Sequence, residues 1–366
     1  MTDAPAPGHD PHRAARKDDH VRLAEEQVNA GFHRNEFDDL TFVHHALGGV
    51  SAAEVDLAAN AGPWRFATPF YVNGMTGGTD MTARINRDLA IAARETGMPM
   101  ASGSTSVALD DPSTAAGFTV IREENPDGFV MANIGAGRSG DDARRAVDLL
   151  QADALQLHIN AVQEIAMPEG GTNFSEWPRL VEEVVEASPV PVIAKEVGFG
   201  LSRRTLRTLS DLGVQFADVS GRGGTDFLSI ENTRRAPEEL IDYSILTGFG
   251  HSALACLLDA PAGAPTLLAS GGVRNPYDVV KALAAGARAV GVAGTFLKAV
   301  RDGGPDGVVR LVRAWEEQLR GIFALLGART PADLQRTDLI VRGGLAEFCR
   351  VRNIDLAALS NRSRRA

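Results

Sequence analysis

Short apolar runs alternate with longer amphipathic stretches along most of the chain. Eight apolar runs have the length and composition of buried strands, and they lie near residues 69–75, 99–105, 128–135, 154–160, 191–198, 216–221, 266–272 and 289–295. Stretches with apolar residues at helical spacing lie between them, at 83–97, 141–152, 177–188, 202–213 and 276–287. Several of these end in glycine, as helices commonly do. The pattern predicts eight strands, each followed by a helix.

Such an order favours an α/β fold with a closed (β/α)₈ barrel, a TIM barrel. A doubly wound open sheet is the alternative, but it would usually carry G-x-G-x-x-G after its first strand, and "NGMTGGTD" at 73–80 does not match. We predict that residues 1–68 form an N-terminal segment that covers the substrate and that residues 69–304 form the barrel. Residues 305–366 would add a C-terminal helix and tail to the same domain.

Composition and charge narrow the class of protein. The chain has 37 basic and 47 acidic residues, a net charge of −10, which argues against nonspecific binding to nucleic acid. It has no apolar run of about eighteen residues for a membrane span and no apolar segment typical of a secretory signal. Cys256 and Cys349 are too few for a disulfide framework and lack metal-ligand spacing. We expect a cytoplasmic protein.

Unusual residues concentrate at the carboxyl ends of the predicted strands, where barrels place their active sites. Three late turns are rich in glycine and hydroxyl residues: "SGRGGTD" at 220–226, "SGGVR" at 270–274 and "AGT" at 293–295. Glycine lets a backbone approach an anion closely, so the three turns together indicate a phosphate-bearing ligand. For any one turn alone, a tight connection would be the simpler interpretation.

The fourth predicted strand has a polar inner face, formed by Gln156, His158 and Asn160. A single histidine in a strand is more often part of the core, but interior barrel layers normally prefer branched apolar residues, so three polar ones suggest a site. We expect the following loop to bring Gln163 and Glu164 to it. Lys195, at the end of the fifth strand, either extends to solvent or faces the ligand, with Glu196 as its structural partner.

Several segments together resemble type 2 isopentenyl diphosphate isomerase, in order from Arg16 to Phe296. They include "RKDDHV", "FVHHAL", "VNGMTGG", "LQLHINAVQEIAMPEG", "PVIAKEVGFG", "DVSGRGGTDF" and "ASGGVRNPYDV". "HINAVQE" and "RKDDH" are specific to that family, whereas "MTGG" and the late glycine turns are shared among flavin-binding barrels. The resemblance implies reduced FMN as the active cofactor, Mg²⁺, NADPH as reductant, and conversion of isopentenyl to dimethylallyl diphosphate. It also suggests a homotetramer or homo-octamer.

The resemblance implies a role for each matching residue. The expected FMN contacts are Met75, Thr76, Gly77, Ser104, Asn133, Lys195, Ser220, Thr225, Gly271, Gly272, Val273, Ala293 and Gly294. The expected substrate contacts are Arg16, Lys17, Ser104, Thr105, Ser106, His158, Asn160 and Gln163, with Gln163, His158 and Lys195 as catalytic residues and Glu164 as the magnesium ligand. Ser106 departs from the pattern, because some members carry an arginine there.

Three alternatives remain at this stage. A 2-hydroxy acid oxidase on the same barrel would need a histidine in the loop after the sixth strand, and "SGRGGTDF" has none. An inosine-monophosphate dehydrogenase would need a cysteine in that loop, but Cys256 and Cys349 lie elsewhere. A barrel that serves only as a scaffold would bind no flavin and would not explain the polar fourth strand.

Overall fold

The computed structural model describes residues 11–31, 34–235 and 240–365. Its strands, in chain order, are β1 (Leu40–Phe42), β2 (Ala59–Ala61), β3 (Trp64–Phe66), β4 (Phe70–Val72), β5 (Met100–Ala101), β6 (Val130–Gly135), β7 (Ala154–Ile159), β8 (Val192–Glu196), β9 (Phe216–Asp218), β10 (Thr266–Ser270), β11 (Val290–Val292) and β12 (Leu339–Val341). Strands β4 to β11 are parallel, each pairs with the next along the chain, and β11 pairs with β4 to close a barrel. The predicted barrel is therefore confirmed, and every barrel strand lies within its predicted range.

The helices, in chain order, are α1 (Pro11–Asn29), α2 (Asp80–Thr96), α3 (Ser106–Asp110), α4 (Ala116–Glu124), α5 (Gly140–Leu150), α6 (Ala161–Ala166), α7 (Trp177–Ala187), α8 (Arg203–Asp211), α9 (Phe227–Arg234), α10 (Ala253–Leu258), α11 (Pro276–Ala285), α12 (Gly294–Leu325), α13 (Gly343–Val351) and α14 (Leu356–Leu359). The five predicted helices correspond to α2, α5, α7, α8 and α11. Their ends are set by local chemistry: Thr79 and Ser139 accept backbone N–H bonds at the starts of α2 and α5.

Two apolar layers hold the barrel. The larger one lies between the outer strand faces and the helices and includes Leu155 and Leu157, both fully buried. The second fills the amino-terminal end of the barrel, where the β2–β3 hairpin places Trp64 against Phe216, with ring centroids 4.3 Å apart. With one end filled by aromatic rings, the opposite end is left for a ligand.

The chain ends meet outside the barrel. β1 and β12 form an antiparallel pair, so the segment before the barrel is tied to the segment after it. Helix α12 is interrupted at Gly304, which has a φ of +57° and precedes Pro305. Helix α1 packs against α9 and α12 and so lies near the carboxyl ends of the strands. In the described residues, no helix combines the length and apolarity needed to cross a membrane.

Candidate active site

A cavity of about 500 Å³ opens at the carboxyl ends of the strands, between the loops that follow β8 to β11. Eight of the residues expected to contact the cofactor line it: Lys195, Ser220, Thr225, Gly271, Gly272, Val273, Ala293 and Gly294. A volume of this order is typical of sites for cofactors and small molecules. These residues from the ends of four strands therefore share one cavity, and their contact with a cofactor stays a prediction.

The glycine loops approach each other too closely for side chains. A Cβ on Gly271 would lie 1.8 Å from the carbonyl oxygen of Gly221, and one on Gly224 would lie 2.7 Å from the backbone nitrogen of Gly272. Gly271 and Gly272 also have φ values of +92° and +80°, which L residues rarely adopt. Because these residues are glycines, this wall of the cavity exposes backbone atoms.

Asn35 joins two of these loops, and the sequence analysis missed it. Its side-chain nitrogen donates to the carbonyl oxygens of Gly272 at 2.8 Å and Gly223 at 3.3 Å. The sequence offers only a weak signal for this role, because asparagine before a helical turn is usually a helix cap. Asn35 does cap the turn that follows it, and its amide nitrogen remains available for the loops.

The residues present fit FMN. Glycine-rich backbone and the amino-terminal end of α12, which begins at Gly294 directly after the eighth barrel strand, suit a phosphate group. Lys195 supplies a positive charge deeper in the same cavity. In the described residues, no group of three or more His, Cys, Asp and Glu side chains could hold a metal ion.

Lys195 is almost fully buried and hydrogen-bonded. Its Nζ donates to the carbonyl oxygen of Glu196 at 2.8 Å and to the hydroxyl of Ser220 at 2.9 Å. Burial lowers the pKa of Lys195, and the negative charges of Asp218 and Glu196 oppose that effect. The Glu196 side chain, the expected structural partner, acts on Lys195 through its charge, while the hydrogen bonds of its carboxylate are to backbone N–H groups, including those of residues 197 and 200.

A chain of amides orients His158. Asn133 donates from its Nδ2 to Gln156 Oε1 at 3.0 Å, and its Oδ1 lies 2.8 Å from His158 Nδ1. Burial, followed by the nearby charges of Lys17 and Lys195, lowers the pKa of His158 to about 3. The ring is therefore neutral at pH 7. With Nδ1 donating to Asn133, Nε2 is the acceptor in that neutral form.

Helix α1 places charged side chains beside this group. Burial and, to a smaller extent, the neighbouring charge of Arg16 lower the pKa of Lys17 to about 8. Arg16 itself donates to Glu169 at 3.0 Å. His20, the last residue of "RKDDH", lies 2.9 Å from Glu231. The motif was the signal that could have identified His20 from the sequence.

Gln163 and Glu164 lie in the short helix α6, which corrects the expectation of a loop. Gln163 is buried and donates to Glu231 Oε1 at 2.7 Å. Glu164 Oε1 accepts from Asn160 at 3.1 Å, and its Oε2 accepts from the backbone of Gly171 at 3.3 Å. Glu231 has no marker in the sequence, since it is one of many acidic residues on helices.

The expected cofactor contacts from the first three strands lie outside the lining of the cavity: Met75, Thr76, Gly77, Ser104 and Asn133. A Cβ on Gly77 would lie 2.1 Å from the Phe118 ring, so packing explains that glycine. The Thr76 hydroxyl is buried and has no hydrogen-bond partner within the described chain.

The residues of the second strand end bond to each other and to the third strand. Ser104 donates to Ser106 at 3.0 Å, and Thr105 donates to the carbonyl oxygen of Asn133 at 2.9 Å. Their hydroxyls are therefore engaged within the protein, and a diphosphate contact from this loop would require these bonds to rearrange.

Comparisons first define the class of protein. A profile of the FMN-dependent dehydrogenase family matches residues 159–341, half of the chain. A crystal structure of mandelate oxidase with 3,3-difluoro-2-hydroxy-3-phenylpropionic acid is similar in fold, with a TM-score of 0.60 and 18% identity over 90% of this chain and 99% of that one. A flavocytochrome b2 variant with sulfite bound gives a TM-score of 0.63 and 20% identity, over 86% and 77%. The chain is a barrel of the FMN-dependent dehydrogenase family.

Sequence relatives define the particular family. The isopentenyl-diphosphate delta-isomerases of Streptomyces sp. (strain CL190) and Kitasatospora griseola are each 55% identical to the chain over 350 residues, 96% of this chain and 96% and 95% of theirs. The enzyme of the same name from Listeria welshimeri is 43% identical over 353 residues, 96% of this chain and 98% of its own. The chain belongs to the isopentenyl-diphosphate delta-isomerase family, in its type 2 form. The resemblance noted in the sequence is confirmed.

The half-buried His158 ring makes stability depend on pH. The pKa of a histidine is about 6.5 in an unfolded chain and about 3 here. The stability contributed by the neutral ring is therefore present above pH 6.5 and is lost as the pH falls toward 3. Between pH 7.5 and 5.5 we expect the free energy of unfolding to fall less in H158Q than in the wild type. The upper limit of this difference is about 1.4 kcal/mol per pH unit below 6.5, and partial exposure of the ring keeps the difference below that limit.

Urea unfolding at the two pH values measures the difference. The exposed His44 supplies the control, since H44Q should keep the wild-type dependence. Equal losses in H158Q and the wild type would contradict a neutral, half-buried His158.

Proposed function

We propose that the protein converts isopentenyl diphosphate to dimethylallyl diphosphate, with reduced FMN as the acid and base and Mg²⁺ holding the diphosphate. The observation that carries the proposal is the meeting of two sites at one end of the barrel. A glycine-walled cavity with one buried lysine suits FMN, and the polar group of α1, β7 and α6 beside it suits a diphosphate. Membership in the isomerase family supports the same reaction.

In this proposal the residues lining the cavity would hold FMN, and the backbone of the glycine loops would bind its phosphate. Reduced FMN, generated by NADPH, supplies an electron-rich ring with a nitrogen that can carry a proton. Lys195 would supply the positive charge that stabilises the reduced form of the ring. Asn35 holds two of the glycine loops in register and so fixes the phosphate end.

The diphosphate binds beneath α1. Of the cations that lower the pKa of His158, Lys17 has the largest effect, and Arg16 precedes it on the helix. A phosphate oxygen needs a donor, which the neutral His158 does not offer at Nε2. Bound diphosphate would therefore raise the pKa of His158 and draw a proton onto it. Asn160 belongs to the same polar group of residues, because its side-chain nitrogen donates to Glu164.

Glu164 would hold Mg²⁺. A single carboxylate is sufficient, because magnesium usually takes one or two protein carboxylates together with substrate oxygens and water. Within the described residues each oxygen of Glu164 accepts one hydrogen bond, at 3.1 and 3.3 Å, so each keeps acceptor capacity for a cation.

Gln163 would position the reacting carbons. An amide does not titrate near neutral pH, so its contribution is orientation and relay rather than acid–base chemistry. Its bond to Glu231 fixes which of its atoms faces the substrate, because the Nε2 donates to the carboxylate. Helix α1, packed over α9, excludes water from the cation that develops on the alkene.

The structure favours the isomerase over the oxidase alternative. The connection between β9 and β10 contains His251, but its ring packs against Phe348, with centroids 5.3 Å apart, and does not line the cavity. The inosine-monophosphate dehydrogenase alternative would need a nucleophilic cysteine. Burial raises the pKa of the Cys256 thiol well above its usual value, which opposes that role. The solved oxidases share the fold at 20% identity or less, so the likeness is one of architecture.

The assay that tests the proposal uses the purified protein reduced with NADPH. With Mg²⁺ and isopentenyl diphosphate, we expect the yellow protein to bleach and to form the allylic isomer, and we expect the oxidised protein to be nearly inactive. Product detection by NMR separates the isomers. Consumption of oxygen with a 2-hydroxy acid, without isomer formation, would overturn the proposal.

Arg16 and Lys17 should matter for substrate and not for FMN. In the double variant R16A/K17A we expect KM for isopentenyl diphosphate to rise at least tenfold, because two charge-assisted phosphate contacts are lost, with FMN binding retained. Arg22 lies on the same helix and pairs with Asp19 and Glu26, so R22A is the matched control with unchanged KM. An unchanged KM in the double variant would remove the role of this pair.

Glu164 should govern the metal requirement. In E164Q we expect the Mg²⁺ concentration for half-maximal activity to rise tenfold or more, because a neutral amide is a weaker magnesium ligand than a carboxylate. E176Q changes an exposed acidic residue before α7 and should behave as the wild type. If E164Q kept the wild-type Mg²⁺ dependence, the metal would have to bind elsewhere.

Three further parts of the proposal concern the whole protein. We propose that residues 1–68 act as the covering segment of the 69–304 FMN barrel, that 305–366 complete the same domain, and that the cytoplasmic enzyme is a homotetramer or homo-octamer. Light scattering of the FMN-loaded protein distinguishes the two assemblies.

A further inference from the structure

A buried carboxylate, Asp218, lies beneath the cavity without lining it. It is the last residue of β9 and is fully buried. Tyr71 donates to it at 2.9 Å and Ser270 at 2.8 Å, and the backbone N–H of Ser220 donates at 3.0 Å. All of these groups are donors, as an ionised carboxylate requires. A buried negative charge is costly unless a cation lies near it.

Lys195 is that cation. Its Nζ is 3.9 Å from Asp218 Oδ2, and both groups are almost completely removed from solvent. Ser220 connects them, because its backbone N–H bonds to Asp218 and its hydroxyl accepts from Lys195. Ser220 also has a φ of +35°, a conformation that a serine adopts only when its surroundings hold it there. The Asp218 carboxylate thus holds Ser220 in place, and the Ser220 hydroxyl orients the ammonium group of Lys195.

Other charged and titratable groups near Lys195 do not replace Asp218. The carboxylate of Glu196, on the same strand, is turned toward backbone N–H groups. His158, on the neighbouring β7, is neutral at pH 7 because its pKa is about 3. Tyr71, on β4, stays protonated, since burial and the charge of Asp218 raise its pKa well above 10. Of the charges that counter the desolvation of Lys195, that of Asp218 is the largest.

We propose that Asp218 is a positioning residue that keeps Lys195 charged and directed into the cavity. Lys195 then strengthens the binding of reduced FMN relative to oxidised FMN. The second statement rests on the proposed function, whereas the first concerns the protein alone. Asp218 touches neither cofactor nor substrate in this arrangement and acts through Lys195.

The charge of Lys195 can be measured directly, because the chain has only four lysines: Lys17, Lys195, Lys281 and Lys298. NMR of the FMN-loaded protein with ¹³C-labelled lysine should give one Cε signal for each, and the signal lost in K195M is that of Lys195. In the wild type we expect this signal to be that of a charged lysine at pH 7. In D218N we expect its proton-binding constant to fall at least tenfold.

Y71F is the matched control. It removes one hydrogen bond to the same carboxylate and leaves the charge, so Lys195 should titrate as in the wild type. An unchanged titration in D218N would overturn the proposal. So would a neutral Lys195 in the wild type at pH 7, a result that does not depend on the folding of any variant.

The reduction potential of bound FMN tests the second statement. In D218N we expect reduced FMN to lose at least tenfold in binding relative to oxidised FMN, which lowers a two-electron potential by about 30 mV. In a K195M background, D218N should add no further change, because its effect passes through the lysine. An unchanged potential in D218N would overturn the link to the cofactor. Failure of the wild type to bind FMN would overturn the proposed function, and the lysine titration would still test Asp218.

Discussion

Backbone contact between glycine loops is the constraint on which the site depends. Gly271 lies against the carbonyl of Gly221, and Gly272 against Asn35, at distances that no side chain could share. Because these loops follow β9 and β10, their contact depends on the parallel pairing and register of those two strands. The same two strands contribute Phe216 and Leu268 to the apolar cluster that fills the other end of the barrel. The strands that shape the ligand end are therefore also packed at the far end.

Two kinds of polar environment follow from this arrangement. The glycine-walled cavity is lined by backbone, hydroxyls and the buried Lys195, together with Arg34, Arg222, Arg274 and Asp226, and Asp218 lies buried behind Lys195. Beside it, under α1, charged side chains of both signs meet, with Glu231 bonded to His20 and Gln163. The first environment suits a group that stays bound, and the second suits one that enters and leaves with a counter-ion.

The sequence predicted the barrel and much of one site wall because periodicity and glycine turns are local signals. Lys195 and the late glycines could be located from strand order alone, since parallel strands bring their carboxyl ends together. His20, Asn35, Asp218 and Glu231 could not be assigned in this way, because their partners lie far away in sequence. Asp218 did leave one trace in the sequence, an acid at the end of an otherwise apolar strand. The placement of Gln163 in a loop was wrong because a six-residue helix is too short for periodicity to reveal.

The pairing of β1 with β12 anchors the segment before the barrel to the C-terminal segment. Residues 36–42, which include β1, directly follow Asn35. Lys281 also holds this segment, because its Nζ donates to the carbonyl oxygen of Phe37 at 2.7 Å. Shortening the protein past Leu339 would strip β1 of its neighbour and leave an open strand edge, a template for self-association. The C-terminal segment thus anchors the N-terminal one, and a fusion or tag attached there must leave the β1–β12 pair intact.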